Sequence, residues 1–383
     1  MHVEMDKVKR YIDVYVPVTG CSLRCPYCYI TIHRKFDSKI KDFRYTPEEV
    51  RTALSRKRLG GTCLINLCAG GETLLTPMTV EYAEALLEEG HYVMIVTNGT
   101  VSLSFDLLSE LPLRLLNHLF FKFSYHYLQL KERGLLDRFF NNIKAMRDAG
   151  ASFTLEVTPY DELIPYIDEM NDLAVEQLGA LPHFTIARDE NNMKDMPKLT
   201  KMNDDDYRAT WGRFGSPLFD FKMSIFQKRR REFCYAGDWV FYVSLEDGMM
   251  YTCHETQHPG VDIFTDPSKP IPFCPVGNNC KACHCWNGHS WIALGAIPEL
   301  NTPTYADLRN RCCPDGTEWL KPEMKHMMDS KLNESNPELS AWGNFKVNAA
   351  AGRHWHSNLR RSAAMLLGDL RHKKLTKLPS EDE

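Results

Sequence analysis

From residue 11 to about 213 the chain alternates strand-like and helix-like runs six times. The strand-like runs are Tyr11–Pro17, Thr62–Leu67, Tyr92–Thr97, Leu119–Ser124, Ser152–Thr158 and His183–Ala187. Most are apolar throughout rather than alternating, as strands covered on both faces are. Helices are expected over Thr46–Lys57, Met78–Glu89, Asp137–Ala149 and Glu162–Gln177. In the first, Thr46 reads as the cap and Pro47 as the first-turn residue, with Glu48 and Glu49 at the positive helix end. Gly150 and Gly179 stop the last two. Six such units predict an α/β fold, a partial (β/α)6 barrel of the TIM type. Sites in such barrels gather at the C-terminal ends of the strands, so the residues just past each strand are the candidates for chemistry.

Thirteen cysteines stand in these 383 residues. The opening stretch MHVEMDKVKR has no apolar h-region, and no run of about 18 apolar residues follows, so a cytoplasmic protein is expected. In a reducing compartment, close-spaced cysteines point to metal or redox chemistry rather than disulfides. A net charge of −4, with 43% apolar and 25% charged residues, is that of an ordinary globular chain and nominates neither nucleic acid nor a membrane as partner. Cys63 and Cys68 lie on an apolar segment and read as core residues.

Just past the first strand comes Cys21-Ser-Leu-Arg-Cys25-Pro-Tyr27-Cys28. Three thiolates within eight residues can wrap one metal centre from a single loop. On a four-iron cubane they leave one iron open. The alternative is zinc, although structural zinc takes four protein ligands and this spacing supplies three. C-x3-C-x2-C with an aromatic before its last cysteine resembles the signature of the radical S-adenosylmethionine superfamily. The resemblance implies a [4Fe–4S] cluster on Cys21, Cys25 and Cys28, whose open iron is chelated by S-adenosylmethionine and whose electron cleaves it to a 5′-deoxyadenosyl radical. It also implies that Tyr27 packs near the adenine.

The other strand ends extend the pattern. Gly70-Gly71-Glu72 follows the second strand. Alone it reads as a turn whose glycines let the backbone approach a ligand, beside a carboxylate able to accept from an ammonium. Behind the cysteine loop it resembles the family's Gly-Gly-Glu motif, which contacts the methionine amino group. Thr97-Asn98 after the third strand serves equally as a turn or, by resemblance, as part of the cofactor wall. Ser124-Tyr125-His126 ends the fourth, where many relatives carry Ser-Leu-Asp-Gly. Ser124 matches, the Asp and Gly are missing, and His126 is a candidate catalytic base or a structural residue. Glu156 and Arg188, at the fifth and sixth ends, are candidate ribose and carboxylate partners or plain surface charges.

A second cysteine-rich region spans 232–290 after the basic run Lys228–Arg231. Cys234 is followed by thirteen residues, Gly248, four residues and Cys253; Cys274, Cys280, Cys283 and Cys285 come later. This resembles the SPASM domain or its shorter twitch form, which implies an auxiliary [4Fe–4S] cluster. Because Cys280-x2-Cys283 is followed at once by x-Cys285, the shorter form with one cluster is favoured. Cys234, Cys253, Cys280 and Cys283 are the expected ligands, with Cys285 or Cys274 able to replace one. Eight cysteines after residue 230 would also suffice for two clusters, and a zinc knuckle using His284 is the plain alternative. The polar segment 315–383 is read as a helical extension; its basic residues, Arg353, Arg360, Arg361, Arg371, Lys373 and Lys374, read as a solvated helix face, with contact to an anionic substrate or partner as the alternative.

The division is therefore a core at 1–215, an auxiliary domain at 232–290 and the extension. The resemblance implies an oxidoreductase-type enzyme that abstracts a substrate hydrogen and uses the auxiliary cluster in oxidation, epimerisation or cross-linking. Its partners would be a flavodoxin- or ferredoxin-type electron donor and a peptide, sugar or other small-molecule substrate. The core starts too near the first residue for a leader-peptide domain, which shifts weight toward small molecules. A radical RNA methyltransferase is disfavoured by the dispersed charge, and a simple electron carrier would have no use for the Gly70-Glu72 pocket.

Overall fold

The computed structural model describes residues 7–35, 42–192, 195–254 and 260–353. Six parallel strands lie side by side in chain order: β1 Arg10–Val16, β2 Cys63–Ala69, β3 Tyr92–Thr97, β4 Leu119–Ser124, β5 Ser152–Val157 and β6 His183–Phe184. This is the expected partial barrel. The sheet continues past β1 on its other edge, where β7 Val240–Ser244 pairs parallel to β1, and β8 Met249–Tyr251 and β9 Val261–Asp262 add antiparallel strands. Gly248 makes the β7–β8 turn at φ +77°, a conformation that a side chain would strain.

Period-2 alternation divides the sheet into two faces. Ile12, Val14, Ile65, Val93, Ile95, Phe121 and Leu155 pack outward with buried residues of the surrounding helices in one core cluster. These helices include Pro47–Ala53, Pro77–Glu88, Leu136–Ala149 and Ile167–Leu178. The inner face changes character along the strands. Tyr11, Leu64, Tyr92, Met94 and Phe120, near the strand starts, share a second cluster with Trp291, Ile292, Met324 and Met328. Nearer the strand ends the inward positions are polar: Cys68 beside Tyr15, Lys122 beside Thr154, Ser124 beside Glu156. The C-terminal segment thus plugs the bottom of the partial barrel, and a polar chamber is left at the top.

Several expectations are corrected. The first helix breaks at Leu54, because Ser55 is extended (φ −62°, ψ 146°) and starts a separate turn, Arg56–Leu59. Its start is as expected, with Thr46 and Glu49 in a reciprocal capping box. Pro165 lacks a donor, so the fourth helix opens as a tight 3-10 turn, Asp161–Tyr166, and becomes α-helical only over Ile167–Leu178. β6 stops at Phe184, because its partner β5 ends at Val157 just before Pro159; Ala187 and Asp189 instead hydrogen-bond to Leu199 and Pro197. Cys63 is core, but Cys68, five residues on, faces inward into the chamber. Beyond residue 315 the chain forms helices Pro322–Asp329 and Ala341–Arg353, and residues 354–383 lie outside the described residues. The basic residues Arg360, Arg361, Arg371, Lys373 and Lys374 fall among the latter. Among the described residues no helix is long and apolar enough to cross a membrane.

Candidate functional site

After β1 the chain turns through residues 17–28, and two backbone bonds fasten that loop to the end of β2. Gly71 N–H donates to Val18 O (2.7 Å) and Glu72 N–H to Gly20 O (2.8 Å). A Cβ on Gly71 would stand 1.9 Å from Gly20 O, so the close approach that requires glycine is to the protein's own backbone rather than to a ligand. The fastening brings Cys21, Cys25 and Cys28 to one cavity, with Cys68, Gly70 and Glu72 across from them. Burial pushes the Cys21 thiol up to about 11 and Cys25 to about 12, and raises Cys28; the charges of Glu72 and Cys28 add to it at Cys21, those of Cys28 and Cys21 at Cys25, and that of Glu190 at Cys28. Bare thiols here keep their protons; a cationic metal centre reverses that. Among the described residues no three His, Cys, Asp or Glu side chains close on a single ion. A cubane differs in placing each cysteine on its own iron.

Glu72 is buried and its carboxylate is held from three sides. Oε1 accepts from Leu74 N–H (3.0 Å) and Thr97 Oγ1 (2.5 Å), and Oε2 from Asn98 N–H (2.7 Å). Burial raises its pKa against the pull of these donors. A carboxylate has about four acceptor positions, so one on Oε2 is left for a ligand donor. Asn98 extends the bracket: its Nδ2 donates to Ser22 Oγ (2.9 Å) and reaches Cys21 Sγ at 3.6 Å. Thr97-Asn98 is therefore a brace between Glu72 and the cysteine loop, which an isolated turn would not be.

His126 stands between this cavity and a second one further along the strand ends. Its Nδ1 lies 2.6 Å from Tyr27 Oη, and the Tyr27 ring packs 4.5 Å from Tyr160. Burial pushes the imidazole down to about 4, so it is neutral near pH 7. Ser124 borders both cavities, whereas Glu156 and Arg188 line only the second. Glu156 is held by Lys122 (3.2 Å) and by the buried guanidinium of Arg309, and Arg188 pairs with Glu190 (3.0 Å). Lys122, Lys222, His289 and Arg309 escaped the sequence reading; period-2 alternation on β4 is the one signal that could have flagged Lys122.

In the second cysteine region, Cys234 exchanges two backbone hydrogen bonds with Gly277 (3.0 and 3.1 Å). Burial pushes its thiol up to about 12, helped by the charges of Cys253 and Cys280. Cys285 is raised by burial and then by Cys253, Cys234 and Cys280. Cys253 and Cys280 thus act on both Cys234 and Cys285. Cys283 is half-buried in the same turn, and Cys274 is exposed, with Asp238 as its charged neighbour. His284 Nδ1 accepts from Gln227 N–H at 3.3 Å.

Residues 15–170 match the Radical SAM superfamily. The comparison with curated proteins gives no match. Among solved structures, Streptococcus suis SuiB bound to S-adenosylmethionine is 13% identical, with 68% of this chain and 64% of that one covered, at a TM-score of 0.47. Native anSMEcpe with bound AdoMet is 16% identical over 68% of this chain and 80% of that one, at 0.43. BtrN in complex with AdoMet and 2-DOIA is 13% identical over 87% and 92%, at 0.34. The chain thus spans about two-thirds or less of SuiB, 64% of its length.

Proposed function

We infer, from the radical SAM superfamily domain that this chain carries over residues 15–170, that it is an S-adenosylmethionine-cleaving enzyme whose cluster is held by Cys21, Cys25 and Cys28. The superfamily uses a [4Fe–4S] cluster and S-adenosylmethionine. The observation that carries the assignment to these residues is the meeting of three thiols from one loop with the braced Glu72 carboxylate across a single cavity. When bound, the cluster supplies the electron that splits the sulfonium into methionine and a 5′-deoxyadenosyl radical.

The protein's own residues bind and orient. Glu72 offers its last acceptor position to the amino group of S-adenosylmethionine, and Thr97 and Asn98 keep that carboxylate from rotating. Tyr27, fixed by His126 and Tyr160 at the border of the second cavity, is assigned to the adenine, and Ser124, which borders both cavities, to the path from the cofactor to the substrate. His126 is neutral and held through Nδ1, so as a base it would act through Nε2. An auxiliary [4Fe–4S] cluster is assigned to Cys234, Cys253, Cys280 and Cys285, with Cys285 taking the place expected of Cys283. The substrate is a peptide, sugar or other small molecule that loses a hydrogen to the radical in an oxidoreductase-type reaction. The electron comes from a flavodoxin- or ferredoxin-type donor. The 1–215 core, the 232–290 auxiliary region and the 315–383 extension remain the proposed units, the auxiliary region being hydrogen-bonded to the core through β7.

Anaerobic reconstitution tests this. The wild type is expected to hold about eight irons, two four-iron clusters, and, once reduced, to release 5′-deoxyadenosine from S-adenosylmethionine. Replacing Cys21, Cys25 and Cys28 together by Ala should remove about four irons and all release. Undiminished iron in the triple variant means that the first cluster is not held there.

A further inference from the structure

The second cavity holds more positive charge than the protein balances. Lys122 enters it from β4, Arg188 from the turn after β6, Lys222 from helix Pro217–Ile225 and His289 from helix Gly288–Trp291. Arg309 reaches in from behind to Glu156. Two carboxylates line the chamber. Glu156 is divided between Lys122 and Arg309, and Glu190 is taken by Arg188. Lys222 is left with the hydroxyl of Thr185 and, among the described residues, no carboxylate within 4 Å. A buried cation without a counter-charge is costly, and among the described residues lining or reaching this chamber four strong cations share the carboxylates of Glu156 and Glu190, with Asp13 acting on Lys122 from β1. Burial, followed by the repulsion of Arg188 and Lys122, drives the Lys222 amine well below its ordinary pKa. His289 is lowered by burial and by the same three cations.

We propose that this chamber, walled by Lys122, Arg188, Lys222 and His289, binds a carboxylate or phosphate group of the substrate. The proposal rests on the functional reading above and adds the substrate's chemical class to it. Lys222 supplies the point charge, its ammonium form being favoured once the anion offsets the repulsion of Arg188 and Lys122, and Arg188, stacked against Trp286 at 5.0 Å and braced by Glu190, presents a planar fork of donors. The chamber shares Cys28, Ser124 and His126 with the cysteine cavity. An anion anchored on Lys222 therefore leaves the rest of the substrate against that shared wall, where a hydrogen would be exposed to the radical. Arg188 passes in this reading from the cofactor's carboxylate to the substrate's anion.

Calorimetric titration of the reconstituted holoprotein with inorganic phosphate, and separately with glutarate, tests the proposal and distinguishes the two anions. One of them is expected to bind at one site per chain, with saturating S-adenosylmethionine present as well as without it. Lys222→Met and Arg188→Met should each weaken that binding at least about tenfold, the loss of one charge-assisted contact. Lys222→Arg, which keeps the charge, should bind more tightly than Lys222→Met. Equal binding by the wild type and both Met variants overturns the proposal, as does binding of neither anion. Displacement of the anion by S-adenosylmethionine also overturns it, because the cations would then serve the cofactor. A wild type that takes up no S-adenosylmethionine defeats the functional reading, while the anion titration still reads the chamber by itself.

Discussion

Gly70 and Gly71 are neighbours in one motif but are glycine for different reasons. At Gly71 a methyl group would meet Gly20 O at 1.9 Å and Gly20 C at 2.6 Å, so one backbone would have to leave the other. At Gly70 its first neighbour would be the Tyr15 hydroxyl at 2.9 Å, the movable end of a side chain. Gly71→Ala is accordingly expected to break the two backbone bonds that hold the cysteine loop to β2. Overpacking costs about 1–3 kcal/mol and each lost bond about 1 kcal/mol. The variant should melt lower and bind S-adenosylmethionine poorly, because Glu72 and the cysteine loop would no longer face each other in register. Gly70→Ala should be much milder in both assays. Equal damage from the two would show that the motif's backbone contact with Gly20 does not set the site. The motif itself is legible in the sequence, but its reason is not, since residue order does not say which loop lies opposite Gly71.

At the scale of elements, the turn carrying Cys280, Cys283 and Cys285 decides which sulfurs can share a cluster. Cys285 acts electrostatically with Cys234, Cys253 and Cys280, and Cys234, Cys253 and Cys285 pack against the same buried cluster. Cys285→Ala should therefore lose about four irons on reconstitution and Cys283→Ala none. Iron analysis showing the reverse would return the ligand set to the C-x2-C pair. Spacing favours that pair because it measures distance along the chain, while a cluster selects for distance through space. The same distinction separates the legible strands from the others. β1 to β5 announce themselves as apolar runs between glycine, proline and polar breaks. β7 to β9 are only five, three and two residues long and belong to no repeating strand–helix alternation. Their place beside β1 comes from tertiary pairing that no local pattern encodes. β6 shows the converse: its run begins opposite Glu156, near the end of β5, and so outruns the partner strand after two residues.

For the whole molecule, the junction between sheet and C-terminal plug turns on one buried carboxylate. Asp13, on the inner face of β1, accepts from Tyr11 Oη (3.0 Å) and Asn66 Nδ2 (2.7 Å) on Oδ1, both within the sheet. Its Oδ2 accepts from His254 Nε2 (3.1 Å), Asn287 Nδ2 (2.6 Å) and Trp291 Nε1 (2.9 Å), all from the later part of the chain. Burial raises the Asp13 carboxyl, but the hydrogen bond and charge of His254, with Asn66 and Asn287, outweigh it and hold it below the ordinary value. The stabilisation is therefore fully present above the unfolded carboxyl value of about 3.9 and is lost as pH falls through the lower folded one. Asp13→Asn puts a donor where an acceptor stood and leaves buried donors unanswered, at about 3 kcal/mol or more near neutrality. Thermal unfolding across pH 7 to about 3 is expected to show the variant melting well below the wild type at neutral pH, with the gap closing once the pH drops below about 4. A gap that stays constant over that range would mean that the charge on Asp13 does not tie the plug to the barrel, and that the apolar packing of Trp291, Met324 and Met328 beneath the strands holds the two together unaided.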